Sequence, residues 1–358
     1  MMESKIERIK GWLNGKKESP WKMQVQPTDM CNLKCKFCWR NSYSRHEEEL
    51  TKEKWVDIIK ESCDAGIKMV TIVGGGEPLV RPEVTMAIAN EIKKHNVDGS
   101  IVTNGTLFTE SMVKDLIKIG WDGISFSING TKKNDDFLRG MDGAFDRSIE
   151  SVKLINYWKK EMQSEKPVLT FHIVITKYNY NEIVDMVNLA NQLDVKIVLF
   201  KLVNEGEDGG IKKFSVEKRQ VSILKSQLNK AKEIAKLHDI ELKQEFDIEP
   251  ATDKDNESSD EVFSIPCVKP FSEIVILADG TAHPCCVICE SKYKNDFKDK
   301  NYLDNISNKS FKELWDGDKF NSLRRAIVEN KLPKECSFYC TKDMVFRQKS
   351  KVIYANEW

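Results

Sequence analysis

The chain has no excess of either charge and no long apolar segment, and these absences argue against broad classes of protein. Its 56 Lys and Arg residues balance 56 Asp and Glu residues, so no basic field is available to attract nucleic-acid phosphates. The absence of any run of about 18 or more apolar residues argues against a membrane span. An apolar secretory leader is also missing. We therefore expect a cytoplasmic protein with no nucleic-acid partner and no membrane span.

Disulfide bonds are not expected either, because clustered thiols in a cytosolic chain usually bind metal. Three of the ten cysteines stand in one short loop, at Cys31, Cys35 and Cys38. An electron-carrying [4Fe–4S] cluster is held by four cysteines, so three cysteines leave one iron open to a substrate. A zinc site completed by His46 is the alternative, although zinc ligands usually form two separated pairs.

The spacing Cys-x3-Cys-x2-Cys, with Phe37 before the last cysteine, resembles the signature of the radical S-adenosylmethionine (SAM) enzymes. In that family the amino and carboxylate groups of SAM chelate the fourth iron of a [4Fe–4S] cluster. Reduction of the cluster cleaves SAM to a 5′-deoxyadenosyl radical, which removes a hydrogen atom from the substrate. The resemblance implies an enzyme that binds SAM, with a cluster held by these three cysteines and an electron donor such as flavodoxin or ferredoxin.

Apolar, β-rich segments alternate with segments of helical periodicity along the first two thirds of the chain. Six strand–helix units in series predict an α/β fold with a parallel sheet and right-handed crossovers. We expect a partial (β/α)6 barrel similar to a TIM barrel, with ligands at the carboxyl ends of the strands. The predicted strands span 21–25, 68–73, 100–103, 123–128, 168–176 and 196–202, and the predicted helices span 51–65, 81–94, 109–119, 144–160, 181–193 and 215–237.

The second predicted strand ends in Gly-Gly-Gly-Glu-Pro at 74–78. Glycines permit a ligand to approach the backbone, and Glu77 would face a cation. The segment resembles the family's Gly-Gly-Glu motif, which implies that Gly75, Gly76 and Glu77 hold the amino group of SAM. A glycine run before Glu-Pro is otherwise a common turn. Its position on the strand after a three-cysteine loop favours the functional interpretation over a turn. The motif also argues against an electron carrier, which needs no amino-group clamp beside an open iron.

Three further strand ends resemble SAM-binding segments. Asn104, in Thr-Asn-Gly-Thr, resembles a residue near SAM, and an ordinary Asn-Gly turn is the alternative. Ser127 matches a serine near the SAM ribose or carboxylate, whereas Asn129 replaces an aspartate and so loses a charge. Arg139 resembles the arginine that pairs with the SAM carboxylate, and a solvated surface arginine is the alternative. His172 on the fifth strand is interpreted as a core histidine with satisfied hydrogen bonds.

The composition changes after the predicted barrel, where seven acidic residues face a single lysine between residues 246 and 262. Such a segment is typical of a linker. The predicted organisation is therefore an N-terminal extension (1–20), a radical SAM barrel (21–240), an acidic linker (241–262), an auxiliary domain (263–345) and a C-terminal tail (346–358).

Six cysteines follow the linker, at positions 267, 285, 286, 289, 336 and 340. The spacing Cys-x12-Gly-x4-Cys around a predicted hairpin, a helix over 311–329 and a final Cys-x3-Cys resemble the SPASM/Twitch auxiliary iron–sulfur domains. The resemblance implies a second [4Fe–4S] cluster without an open iron. Cys286 and Cys289 compete with Cys285 for one ligand position, and a zinc ribbon is the alternative. The expected ligands are Cys267, Cys285, Cys336 and Cys340.

The sequence predicts the substrate less directly. Only about 20 residues precede the first strand, too few for the leader-binding domain of many peptide-modifying relatives. We expect a small molecule similar to a sugar or aminocyclitol, oxidised or rearranged with help from the auxiliary cluster. A peptide- or protein-modifying maturase is one alternative, and a non-catalytic electron-transfer module is another. The polar candidates for substrate contact are Gln24, Gln26, Asn204, Glu205, Glu207 and Asp208. No general base is identified; Asp279 is a residue of the auxiliary domain that would lie near the active site, and an Asp-Gly turn is the alternative.

Overall fold

Ten strands form a single sheet in the described part of the chain. The computed structural model describes residues 5–38, 40, 48–203, 212–246, 265–286, 302–331 and 336. The strands are β1 (Lys22–Val25), β2 (Met69–Ile72), β3 (Asp98–Thr103), β4 (Gly123–Ser127), β5 (Val168–Ile175), β6 (Ile197–Leu202), β7 (Glu241–Gln244), β8 (Glu273–Ile276), β9 (Thr281–His283) and β10 (Asp304–Asn305). Their order across the sheet is β10-β9-β8-β1-β2-β3-β4-β5-β6-β7.

Helices connect most of these strands. None of those in the described ranges is long and apolar enough to cross a membrane. They are α1 (Lys5–Leu13), α2 (Lys52–Asp64), α3 (Pro82–Lys94), α4 (Glu110–Lys118), α5 (Lys132–Arg139), α6 (Ala144–Glu161), α7 (Ile183–Gln192), α8 (Val221–Leu237), α9 (Lys269–Ser272), α10 (Phe311–Trp315) and α11 (Asp318–Val328).

Strands β1 to β7 are parallel and adjacent in chain order, which confirms the α/β class and the partial barrel. All six predicted strands are present. Strand β7 was not predicted, and it occupies the first four residues of the expected 241–262 linker. Its sequence, Glu-Leu-Lys-Gln, has a single apolar residue, so only pairing with β6 reveals it as a strand. Residues 247–262 lie outside the described ranges.

The two faces of the barrel sheet differ in polarity, because successive side chains of a strand point to opposite faces. Val25, Ile72 and Phe171 belong to the main apolar core, which the helices cover. The intervening residues lie on the other face, which we call the inner face. Thr71 and Ser100 share it, and their hydroxyl groups are hydrogen-bonded at 3.1 Å. The inner face is therefore lined largely by polar side chains that a ligand could contact.

The C-terminal part continues the same sheet beyond β1. Strand β8 runs parallel to β1, with Lys22 beside Glu273. The predicted hairpin is confirmed as β8 and β9, which pair in antiparallel fashion. Gly280 in its turn has φ of 82°, a conformation that favours glycine. A second apolar cluster joins α1 to this region, and it includes Ile9, Phe271 and Leu323.

Candidate functional site

Cys31, Cys35 and Cys38 lie on the loop that follows β1, at the carboxyl edge of the sheet. Cys31 is exposed, whereas the other two are partly buried. Burial raises the pKa of the Cys35 thiol to about 12, and the nearby Cys38 adds to this shift. Burial also raises the pKa of Cys31 and Cys38. Iron would bind these groups as thiolates and would offset the repulsion between them.

The cysteine loop is held by backbone hydrogen bonds to elements on both sides. The Gly76 amide donates to the Thr28 carbonyl at 2.9 Å, and the Lys36 amide donates to the Leu138 carbonyl in α5 at 2.8 Å. A Cβ atom at Gly76 would lie 1.9 Å from the Met30 carbonyl oxygen. The loop after β2 can therefore approach the cysteine loop only because residue 76 is glycine.

Gly75 lies against an ion pair of the cysteine loop. Arg40 Nη1 is 2.7 Å from Asp29 Oδ1. A Cβ atom at Gly75 would lie 2.1 Å from Arg40 Nη1 and 2.6 Å from Asp29 Oδ1. The glycines that were predicted to approach SAM thus also let two loops approach each other. Their contact with the SAM amino group stays a prediction.

The Glu77 carboxylate joins the loop after β2 to the loop after β3. Its Oε1 accepts hydrogen bonds from the Thr103 hydroxyl at 2.7 Å and the Leu79 amide at 3.1 Å. Its Oε2 accepts one from the Asn104 amide at 2.6 Å. Burial raises the pKa of Glu77, and these hydrogen bonds oppose the shift. The side chain that was expected to face a cation is thus engaged by three donors of the chain.

Asn104 connects the loop after β3 to the cysteine loop. Its Nδ2 donates to Asn32 Oδ1 at 2.8 Å, one residue after Cys31. Its Oδ1 accepts hydrogen bonds from the amide and hydroxyl groups of Thr106, at 2.9 and 2.8 Å. The predicted site residue therefore does lie beside the cysteine loop, where it fixes the position of Asn32.

Arg139 is 1% exposed and is surrounded by acceptors of the chain. Its Nη1 donates to Asp135 Oδ2 and to Ser148 Oγ, both at 3.0 Å, and its Nη2 donates to the Asn104 carbonyl. The solvated-surface alternative is therefore wrong. The guanidinium also acts to lower the pKa of Cys35, against the larger effect of burial, so it lies close to the cysteine loop.

Ser127 lies at the carboxyl end of β4 and is partly buried. It stands beside His172 of β5 in the sheet register, on the inner face. Asn129 instead joins β4 to β5, because its Oδ1 accepts a hydrogen bond from the Val174 amide at 3.0 Å. Its amide donates to Asp135 Oδ1 at 2.7 Å. Asn129, which replaces the aspartate of the family motif, thus uses its side chain to join β4 to β5.

Four of the six C-terminal cysteines are described, at positions 267, 285, 286 and 336. Cys286 packs against Val275 and Leu277, and Val275 is beside Gln24 on the inner-face side of the sheet. Cys267 instead packs against the second apolar cluster. The choice among the three candidates for the second ligand stays open. Cys289, Cys340, Asn204, Glu205, Glu207 and Asp208 lie outside the described residues.

Partly buried lysines surround the Glu273 carboxylate near Cys285 and Cys286. The Glu273 carboxylate is 2.6 Å from Lys269 Nζ and 3.3 Å from Lys5 Nζ, and Lys22 lies beside it in the register. Burial acts to lower the pKa of Lys269, but Glu273 and then Cys286 raise it above its ordinary value. The ammonium group of Lys269, which interacts with Cys285 and Cys286, would stabilise an anionic four-thiolate cluster at these cysteines.

A family model described as the radical SAM superfamily matches residues 25–190, which include the cysteine loop and strands β2 to β5. The SPASM model, described as an iron–sulfur cluster-binding domain, matches residues 267–341. The chain carries a radical SAM domain followed by a SPASM domain. Radical SAM proteins with a SPASM domain bind SAM at one [4Fe–4S] cluster and hold auxiliary iron–sulfur clusters, so the expected cofactors are confirmed.

Curated and solved proteins resemble different shares of the chain. The tungsten-containing aldehyde ferredoxin oxidoreductase cofactor-modifying protein of Pyrococcus furiosus is 28% identical over 184 residues, 49% of this chain and 50% of that protein. The chain spans about half the length of the curated relatives it matches. Two solved structures of low identity share its fold.

The first is Streptococcus suis SuiB bound to the precursor peptide SuiA, with a TM-score of 0.66 and 18% identity, covering 88% of this chain and 69% of that one. The second is native anSMEcpe with bound AdoMet and the Kp18Cys peptide, with a TM-score of 0.62 and 18% identity. It covers 93% of this chain and 98% of that one. At this identity the two likenesses show the fold alone.

The three thiols of the cysteine loop fit an iron–sulfur cluster better than a single metal ion. Within the described ranges, no three His, Cys, Asp or Glu side chains converge on a site for one metal ion. Zinc requires all its ligands within about 2.3 Å of one centre, whereas each cysteine of a cubane binds a different iron. The all-thiolate donor set of this loop fits the iron–sulfur cluster, and His46 lies outside the described residues.

The sequence did not single out Glu49 and Arg81, which secure the start of the cysteine loop. Glu49 Oε1 accepts hydrogen bonds from the Asp29 amide at 2.7 Å and the Thr28 hydroxyl at 2.9 Å. Arg81 Nη1 donates to Glu49 Oε2 at 3.0 Å and to the Pro27 carbonyl at 3.1 Å. These partners are distant in the chain, so no local motif marks them.

Proposed function

We propose that the chain is a radical SAM enzyme that modifies a peptide or protein substrate, with one auxiliary cluster taking part in turnover. Support for a peptide comes from the two solved neighbours that cover 88% and 93% of the chain, since both were solved with a bound peptide. Such coverage includes parts of both the barrel and the C-terminal region. The expected sugar- or aminocyclitol-like substrate has no comparable support, so the peptide alternative replaces it.

The observation that carries the proposal is the position of the cysteine loop at the edge of a polar inner face. Ser125 and Thr170 are neighbours on that face, as are Ser127 and His172 one row closer to the loop. Rows of hydroxyl and imidazole groups offer hydrogen bonds that suit the amide groups of a peptide. An electron-transfer module would need no such face beside an open iron.

The residues of the chain hold and orient the reacting groups. When bound, the cluster supplies the electron that cleaves SAM and so begins hydrogen abstraction from the substrate. We assign its three ligands to Cys31, Cys35 and Cys38. Gly75, Gly76 and Ser127 would line the SAM site, while Glu77, Asn104 and Arg139 act chiefly by fixing the loops around it. Rigid support of this kind holds SAM and the substrate at reacting distance.

We assign the auxiliary cluster to Cys267, Cys285, Cys336 and Cys340, in a region that shares a sheet with the barrel through β8. A closed cluster supplies a site for one electron, which suits net oxidation of the substrate. The initial electron would come from a small carrier such as flavodoxin or ferredoxin, in the cytoplasm. The auxiliary-ligand assignment, the electron donor and the location are part of the proposal.

The test measures 5′-deoxyadenosine by mass spectrometry, using anaerobically reconstituted, reduced protein with SAM. Peptide and small-molecule fractions from the source cells are added separately. We expect the peptide fraction to stimulate product formation. The Cys38→Ala variant should lose SAM cleavage and keep roughly half of its iron, because the two clusters bind independently. Cys63→Ala is the matched control, since Cys63 is a core residue of α2.

Stimulation by the small-molecule fraction alone would overturn the peptide substrate and restore the sugar-like one. No 5′-deoxyadenosine under any condition, despite a full complement of iron, would overturn the enzyme assignment and favour an electron-transfer module. Unchanged cleavage by the Cys38→Ala variant would contradict the ligand assignment.

A further inference from the structure

The inner face of β5 to β7 carries three polar side chains that take no part in securing the cysteine loop. His172 is on β5, Lys201 is two residues further along on β6, and Glu245 directly follows β7. We call these residues the inner polar group. His172 stands beside Ser127, so the group begins next to the proposed SAM site and extends away from it. A substrate that presents a C–H bond to SAM would reach these side chains.

The ring of His172 has a buried nitrogen without a partner. Nε2 makes no hydrogen bond with any of the described residues, contrary to the expected satisfied core histidine. Burial lowers the pKa of His172 to about 3, and the Lys201 ammonium adds to this effect. The imidazole is therefore neutral at physiological pH and carries one N–H. Since buried polar atoms are nearly always hydrogen-bonded, a partner from outside the described residues is expected at Nε2.

Lys201 and Glu245 form an ion pair in which the Lys201 ammonium group keeps further N–H donors. Lys201 Nζ is 3.0 Å from Glu245 Oε2, and the two side chains are 37% and 30% exposed. An ammonium group has three N–H donors, and within the described ranges one carboxylate, that of Glu245, pairs with Lys201. The partial exposure leaves the remaining donors accessible.

We propose that the inner polar group binds a carboxylate of the peptide substrate, with donors from Lys201 Nζ and from His172 Nε2. This inference rests on the proposed function. A carboxylate accepts several hydrogen bonds, so it can engage both donors together. With the imidazole N–H on Nε2, the group presents donors from two side chains, whereas its one carboxylate, Glu245, is already paired with Lys201. The substrate carboxylate belongs either to an acidic side chain or to the C-terminus of the peptide.

The test uses four synthetic hexapeptide pools as probes, with random neutral flanks. Three pools have blocked ends and Glu, Gln or Lys at the central position, and the fourth has central Gln and a free C-terminus. Each pool is incubated with cluster-loaded protein and SAM without reductant, and retained peptides are counted by mass spectrometry. We expect about tenfold more retention of the Glu pool or the free-C-terminus pool than of the blocked Gln pool.

The Lys201→Gln and His172→Phe variants should each reduce this ratio, Lys201→Gln to near one. Lys196→Gln is the matched control, because Lys196 is an exposed lysine just before β6 that pairs with Asp194. Circular dichroism and iron content identify any variant that fails to fold. A central Glu preference assigns the carboxylate to a side chain, and a free-C-terminus preference assigns it to the chain end.

Two outcomes would overturn the inference. Retention of peptides without a carboxylate preference, or a preference that Lys201→Gln leaves intact, would overturn it alone. Retention of no pool by the wild-type protein would overturn both the peptide substrate and this site.

Discussion

Buried charged side chains behind the cysteine loop are engaged within the protein rather than left for a ligand. Arg139 donates to Asp135, to Ser148 and to the Asn104 carbonyl. Burial raises the pKa of Asp135 to about 6, although the Arg139 guanidinium opposes this shift. Removing one member of such a network leaves another buried polar group unsatisfied, which costs about 1–3 kcal/mol. These residues therefore resist substitution for structural reasons, whatever contacts they make with SAM.

His172 predicts a pH dependence of stability. Its folded pKa of about 3 lies below the ordinary value of 6.5, because burial disfavours the charged ring. A depressed pKa contributes stability that is present above pH 6.5 and is lost as the pH falls towards 3. Because of this one group, the free energy of unfolding falls by about 1.4 kcal/mol per pH unit in that window, or by about 2 kcal/mol at pH 5.

We expect the His172→Gln variant to lack this decrease in the free energy of unfolding between pH 7 and pH 5. Chemical denaturation of the wild type and the variant at several pH values measures it. His238→Gln, which changes an exposed histidine after α8, is the matched control. Equal pH dependence in the wild type and His172→Gln would contradict the prediction.

The loop after β2 lies against the cysteine loop at Gly76, which leads to a prediction for a substitution there. A Cβ atom at Gly76 would lie 1.9 Å from the Met30 carbonyl, a backbone atom that cannot move without the cysteine loop. We expect Gly76→Ala to lose the SAM-binding cluster, roughly half of the iron, and to keep its helix and sheet content. Gly123→Ala is the matched control, since its Cβ would meet only ordinary contacts at 3.7 and 3.8 Å. Full iron content in Gly76→Ala would refute the argument.

Local pattern predicted the elements of the barrel but not their full pairing. Segments such as Met69–Ile72 are apolar, β-branched and bounded by turns, so they are recognisable alone. Strand β7 lacks that pattern. Strand β8 pairs with β1 through residues far apart in the chain, and no local signal encodes such a pairing.

Local motifs likewise predicted one part of the candidate site and missed another. Cysteine spacing and glycine motifs identified the loops that meet at the carboxyl edge. The partners of Glu77, Asn104 and Arg139 were not predictable, because they lie on other loops whose approach depends on the whole fold. The Glu49–Arg81 pair was missed for the same reason.

At the scale of the whole molecule, one sheet joins the barrel to the auxiliary region. The parallel pairing of β1 with β8 brings Lys22 of the barrel beside Glu273 of the C-terminal part. Lys5 of α1 and Lys269 of α9 complete the charge cluster. The two regions therefore share buried charge as well as backbone hydrogen bonds, so electrostatics at the auxiliary site depends on residues from both.

This shared charge predicts how a substitution at Lys269 changes the reduction potential of the auxiliary cluster. Reduction adds a negative charge, which a nearby buried ammonium stabilises. Lys269→Met removes one positive charge and leaves Glu273 paired with Lys5. We expect the auxiliary potential to fall by on the order of 50 mV, from a Coulomb interaction of about 1–2 kcal/mol at intermediate dielectric. Potentiometric titration followed by electron paramagnetic resonance measures it separately from the SAM-binding cluster.

Lys312→Met is the matched control, because Lys312 is an exposed lysine of α10 that pairs with Asp316. Its auxiliary potential should equal that of the wild type. The potential of the SAM-binding cluster should move less than the auxiliary potential in Lys269→Met, since its cysteines lie on the loop after β1 and not beside Lys269. An unchanged or raised auxiliary potential in Lys269→Met would mean that the lysine cluster serves the fold alone.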